Sequence, residues 1–441
     1  MGSQVPNEAT ARAGGVSAAE PTFRRVRRRL LPFLFLLYIV AYLDRINVGF
    51  ASLQMNRELG LSETVFGFGA GVFFVGYFLF EIPSNLILAR VGARRWLARI
   101  LVSWGIAAIA MVWVRGPRSF YALRFLLGVA EAGFFPGVIL YLTYWFPARE
   151  QARAVALFMT ATAVAGIVGG PISGALLELS GLLGLSGWQW LFLIEGIPAV
   201  VLGAVVLMKL PDGPREVRWL SDSQRTAISS ALAAERDSAV RKIHLGAAFA
   251  TPRVWILAVV YFGTVVGIYG INLWLPQIVA GFHMGGTLAI GFITTIPFLL
   301  GAIAMVVVAR RSDRTGERRW HLTFSLAVAA IGLLASSLAA NPIAELLTLS
   351  IGAAGTFCAL GPFWAMPPEF LDGPAAAGGI ALINSFGNLG GFLGPYLVGV
   401  MRESTHGFSA ALFTLAASLA LAALIASTLK PARLSSISTA A

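Results

Sequence analysis

Twelve stretches of about 20 mostly apolar residues follow one another along this chain, the length one helix needs to cross a bilayer. They fall at residues 30–50, 65–89, 95–114, 119–142, 153–178, 189–209, 253–281, 287–309, 320–340, 343–366, 376–401 and 408–429. Backbone at that depth has no water to bond, so only helices or closed barrels are viable. Runs this long and this continuously apolar predict an all-α membrane protein. Composition points the same way: 57% of residues are hydrophobic and 12% charged, where soluble domains carry about 25% charged residues. The single cysteine, Cys358, excludes a disulfide within the chain, and the four histidines at 244, 283, 321 and 406 lack ligand spacing. No metal and no cofactor is expected.

The formal net charge is +12, and its distribution argues for a membrane rather than nucleic acid as the partner. Arg24 to Arg29, Arg90/Arg94/Arg95, Arg149/Arg153, Arg215 to Lys242, Arg310 to Arg319 and Lys430/Arg433 all fall in alternate loops. The opposite face holds chiefly Arg57/Glu58, Arg115/Arg118 and Arg402/Glu403. The positive-inside rule places the basic loops and both termini in the cytoplasm of a multi-pass protein. The arginines before the first run precede a stretch too long for a cleavable signal, so that span is expected to stay. Residues 1–28 read as a disordered tail, 29–210 and 253–430 as two six-helix bundles, 211–252 as a linker with a short surface helix capped by Ser221, and 431–441 as a second tail.

The halves repeat. Gly316 follows Gly92 by 224 residues in similar basic loops, and Pro395 follows Pro171 by 224 residues, each after a glycine. Two parallel six-helix repeats with a basic loop after the second helix resemble the major facilitator superfamily. That resemblance implies a midplane substrate site between halves that rock against each other. It also implies a loop pattern Gly-x-Leu-Ala-Asp-Arg-x-Gly-Arg-Arg whose acid latches the cytoplasmic gate. The second copy keeps the acid as Asp313, followed by Arg314; the first has Ala89, followed by Arg90, leaving Glu81 or Arg90 to act differently.

Two pairs of opposite charges interrupt the first and fourth apolar runs: Asp44 and Arg45 in the first, Arg124 and Glu131 in the fourth. A charge at membrane depth costs roughly 2.5–3.5 kcal/mol on insertion scales and ordinarily faces a cavity or a partner. Asp44 and Arg45 are adjacent, so they point about 100° apart on a helix and cannot share one face. Arg124, Gly128 and Glu131 form one stripe, with the charges about 10 Å apart along the axis and room at Gly128 for a helix or a ligand. The four could lock two helices together. They could also bind and couple, and positions 224 residues on (Ile268, Tyr269, Thr348, Gly355) lack charge, which a purely architectural cluster gives less reason for. An arginine offers a planar fork to a carboxylate; a buried acid can exchange a proton as that fork comes and goes.

Tyr42-Leu43-Asp44-Arg45-Ile46-Asn47, Phe80-Glu81-Ile82-Pro83-Ser84-Asn85, Arg124 through Glu131-Ala132-Gly133, Trp188 through Gly196 and Ile383-Asn384-Ser385-Phe386-Gly387-Asn388 resemble the anion:cation symporter family of that superfamily. The resemblance runs from about Arg29 to Leu429. Bacterial tartrate, sugar-acid and aromatic-carboxylate permeases are similar, as are animal sialic acid and glutamate carriers. It implies proton-coupled import of a small organic anion, with Arg45 and Arg124 near the carboxylate and Asp44 and Glu131 carrying the proton. Tyr42, Tyr77, Trp364, Asn384 and Ser385 would line the pocket, and a monomer is the expected functional unit.

Sugar-acid carriers of the family use a glutamine on helix five, where this chain has Thr160, Ala161, Thr162 and Ala163. The aromatic Phe363, Trp364, Tyr269 and Trp274 would suit a ring or a short hydroxy-diacid about equally. Glu81 reads as a gate or structural contact, Glu195 as a packing hydrogen bond, and Cys358 as a small packing residue. A drug/proton antiporter shares the fold but fits two arginines less well. An enzyme would need a nucleophile–base or metal constellation, and an ATP-driven pump a phosphate loop that does not occur.

Overall fold

The computed structural model describes residues 8–238, 251–367, 370 and 373–429. Lys242, Glu369, Lys430, Arg433 and the tail over 431–441 lie outside the described residues. The first half contains α1 (Glu8–Leu59), α2 (Glu63–Val91), α3 (Ala93–Ala110), α4 (Pro117–Glu131), α5 (Phe134–Thr143), α6 (Ala148–Met159), α7 (Ala161–Leu177) and α8 (Gly187–Lys209). A linker helix, α9 (Asp222–Ser238), precedes α10 (Pro252–Ala280), α11 (Thr287–Thr315), α12 (Arg319–Ser337), α13 (Pro342–Ala365), α14 (Gly373–Thr405) and α15 (Ser409–Ser427). Eleven described helical spans are long and apolar enough to cross a membrane, with α4–α5 and α6–α7 each forming one. The long α14 packs between α2 and α10.

Local chemistry sets the ends. Ser62 caps α2 by accepting from Val65 N–H at 3.3 Å, Asn341 caps α13 by accepting from Ala344 N–H at 2.9 Å, and Ser186 with Gln189 closes a capping box on α8. Ser221 caps α9, accepting from Gln224 N–H at 3.3 Å. The fourth span breaks at Gly133, whose φ of 85° is left-handed, so α4 stops at Glu131 and α5 restarts at Phe134.

The stretch expected as a disordered tail is helical from Glu8. Phe23 and Val26 are fully buried, Phe23 packs on Phe146, Arg27 pairs with Glu150, and Arg29 lies over the Trp219 ring. The basic run is thus held against the linker and α6.

Outward-facing side chains are apolar: Phe324, Ile331, Leu421 and Leu424 are each more than half exposed, while Asp44, Arg124 and Glu131 are buried. This inversion of a soluble protein's pattern suits a lipid surround.

The halves meet along α1/α10, α2/α14 and α7/α11. Small residues let the backbones touch. A Cβ on Gly170 would stand 2.4 Å from Gly291 O, on Gly49 2.6 Å from Leu273 O, and on Gly67 2.5 Å from Pro395 O. The rim away from the basic loops is sealed by Glu403, which accepts from Ser62 Oγ at 2.8 Å and Thr64 N–H at 2.7 Å, and by the Arg402–Glu63 pair at 3.3 Å. Toward the basic loops, Leu86, Leu157 and Val307 are exposed.

Candidate functional site

Residues 224 apart touch at the centre. Arg45 Nη1 donates to Tyr269 Oη at 3.4 Å, and Gly49 packs on the Leu273 backbone, because equivalent positions of α1 and α10 face each other across the pseudo-twofold axis. Asn272 Nδ2 donates to Tyr42 Oη at 3.1 Å one turn away.

Arg45 is the hub. Its Nε donates to Glu131 Oε1 at 2.6 Å and its Nη2 lies 2.5 Å from the same oxygen. Its guanidinium sits 5.1 Å from the Tyr77 ring centre and 5.8 Å from that of Phe73. Glu131 is fully buried, and its Oε2 has no hydrogen-bond partner among the described residues. An ion pair this deep repays its desolvation only when the remaining lone pairs are satisfied. One acceptor here is not.

Arg124 stands apart from that pair. It is fully buried, its Nη2 donates to Ala70 O at 3.1 Å and its Nε to Gly69 O at 3.4 Å, and the Phe73 ring lies 5.0 Å from its guanidinium. Gly128, below it on the same stripe, is filled by a helix rather than left for a ligand: a Cβ there would stand 2.0 Å from Phe73 O. Arg124 therefore clamps α4 to the α2 backbone in this conformation, with Nη1 still unpartnered among the described residues.

Asp44 points the other way, into the first half. Its Oδ2 accepts from Trp104 Nε1 at 2.6 Å and its Oδ1 from Asn47 Nδ2 at 3.2 Å. Nearby, Glu195 Oε1 accepts from Ser173 Oγ at 2.9 Å, the packing bond expected for it. Asp44 and Arg45 thus serve different compartments, as a 100° separation requires.

Glu81 makes the polar contact between halves that sequence reasoning left unspecified. Its Oε1 accepts from Asn384 Nδ2 at 2.8 Å, and its Oε2 from Ser385 Oγ and Asn388 Nδ2, both at 3.2 Å. The structure places Asn384 and Ser385 on this carboxylate; Asn388 was missed. Its one-turn spacing from Asn384 was the available signal. Tyr77 is buried beside Arg45, and Trp364 is half-buried against Tyr261, ring centres 4.9 Å apart.

The basic-loop residues lie at the rim of the two halves. Asp313 pairs with Arg318 at 2.6 Å inside its own loop, and Arg90 and Arg314 are exposed. Where Ala89 removes the first loop's acid, Asp212 from beyond α8 accepts from Arg94 N–H at 2.8 Å and pairs with its guanidinium at 3.3 Å. Among the described residues no three His, Cys, Asp or Glu converge as metal ligands.

The family model of the Major Facilitator Superfamily matches residues 34–395 and 288–439. A protein of Agrobacterium vitis named "Putative tartrate transporter" is 51% identical over 403 residues, covering 91% of this chain and 93% of that protein. A quinolone resistance transporter of Acinetobacter baumannii is 43% identical, covering 89% and 91%. Among solved structures, a bacterial homologue of the human lysosomal transporter Spinster matches with a TM-score of 0.75 at 16% identity, over 91% of this chain and 96% of that one. A transporter, not an enzyme, carries these features: the chain belongs to the major facilitator superfamily.

Proposed function

We propose that this chain is a proton-coupled symporter that imports a small organic carboxylate, a hydroxy-diacid such as tartrate, by alternating access across a bacterial inner membrane. The observation that carries the reading is the buried Arg45–Glu131 pair at the seam between the halves, with Arg45 reaching Tyr269 of the second half. The Agrobacterium relative's name supplies the substrate class.

In this reading the basic loops face the cytoplasm, so the sealed rim at Glu403 and Arg402 is periplasmic. Protonation of Glu131 releases the Arg45 fork, which then takes a substrate carboxylate. Loss of the substrate on the cytoplasmic side restores the ion pair and expels the proton. Asp44 is the second proton carrier, and Arg124 adds positive potential one ring away. Tyr42, Tyr77, Trp364, Asn384 and Ser385 line the path, and one copy suffices. Asp44 and Glu131 interact through the same buried region, so they would titrate as a set.

Aromatic-carboxylate or sugar-acid import would use the same parts, although helix five offers Thr162 in place of a glutamine, and its Oγ donates to Met159 O within the α6–α7 span at 2.9 Å. The Acinetobacter relative favours one competing reading, proton-driven export. Proteoliposomes decide. An inward acid gradient should accelerate and concentrate labelled tartrate or a related carboxylate. Failure with every carboxylate tested sinks symport, and depletion from loaded vesicles under that gradient supports export.

A further inference from the structure

Glu81 is 4% exposed, and both its oxygens are held by neutral donors from the opposite half. Asn384 and Asn388 are one helical turn apart on α14 with Ser385 beside the first, so one helix face converges on a single carboxylate. Such an arrangement fits any carboxylate of that size, whether or not it is attached to α2. Tyr77, with Arg45 over its ring at 5.1 Å, is four residues before Glu81. That spacing puts the donor face about 6 Å along the helix from the level of Arg45. A four-carbon diacid has its carboxyl carbons about 4 Å apart (three C–C bonds of ~1.5 Å), and charge-assisted hydrogen bonds of about 2.8 Å at each end extend that reach.

We infer that Asn384, Ser385 and Asn388 form a second carboxylate subsite and that Glu81 occupies it as an internal stand-in for the far carboxylate of a diacid. The inference rests on the reading that Arg45 takes the first carboxylate. A diacid bridges Arg45 and α14, displaces Glu81 and replaces a contact between the halves with its own. A monoacid reaches Arg45 and leaves Glu81 in place. Glu81 is then a competitor that sets the affinity for diacids, and the donors of α14 set the preference for them.

The test is calorimetric titration of the purified full-length protein with tartrate and with threonate, which has the same four-carbon skeleton and one carboxylate. Removing the competitor in Glu81→Ala should raise the tartrate-to-threonate affinity ratio about tenfold, and Asn384→Ala with Asn388→Ala should lower it by at least about tenfold, the order expected for one or two charge-assisted bonds. Ser385→Ala, which loses a single donor, should lower the ratio less and guards against misfolding of the double variant. A ratio unchanged in all three makes the contact a latch only and overturns the inference while sparing the anion reading. Binding of neither acid by the unaltered protein overturns both.

Discussion

Asp44 and Arg45 are neighbours in sequence, yet they belong to two polar clusters with different surroundings. Arg45 lies on the seam, joined to Glu131 in its own half and Tyr269 in the other. Asp44 lies inside the first half, held by Trp104 and Asn47 near Glu195 and Ser173. A rocking motion changes what the seam cluster touches and carries the interior cluster along as part of a rigid body. The proposed cycle therefore assigns substrate chemistry to the seam. The interior cluster can take part only by changing its own charge.

Three substitutions sharpen that contrast. Arg45→Ala has the largest expected effect. Removing one partner of a buried charge pair costs about 2–5 kcal/mol, or roughly 30- to 4,000-fold in substrate affinity by titration, with thermal unfolding also lowered because Glu131 loses its cation. Asp44→Asn keeps an acceptor for Trp104 and removes the charge. It should leave counterflow exchange within about threefold, under 1 kcal/mol, while abolishing gradient-driven accumulation. Loss of exchange as well would move Asp44 to the substrate side of the comparison. Ser173→Ala has the smallest effect. It removes one buried donor to Glu195, destabilising by about 1–3 kcal/mol in thermal unfolding, with transport retained at permissive temperature.

The helical spans were legible because an apolar run of membrane length can do little else. Arg45 and Glu131 were legible because charge in such a run demands a partner. The aim of Arg124 was not: its bonds go to the carbonyls of Gly69 and Ala70, which carry no side-chain signal. The partners of Glu81 lie some 300 residues away on α14, and no local pattern encodes that register. The contact of Asp212 with Arg94 N–H likewise spans 118 residues and is created by the fold. The break at Gly133 was visible only as a glycine in an apolar run, and its left-handed backbone is what ends α4 beneath Glu131.

In the proposed cycle Glu131 exchanges a proton for the Arg45 fork. Glu131→Gln, reconstituted in vesicles, tests it when counterflow and gradient-driven uptake of the same carboxylate are measured side by side. Exchange should persist while accumulation under an inward acid gradient disappears. Equal loss of both would rule out proton exchange at Glu131 and leave the Arg45–Glu131 pair a structural tie between α1 and α4.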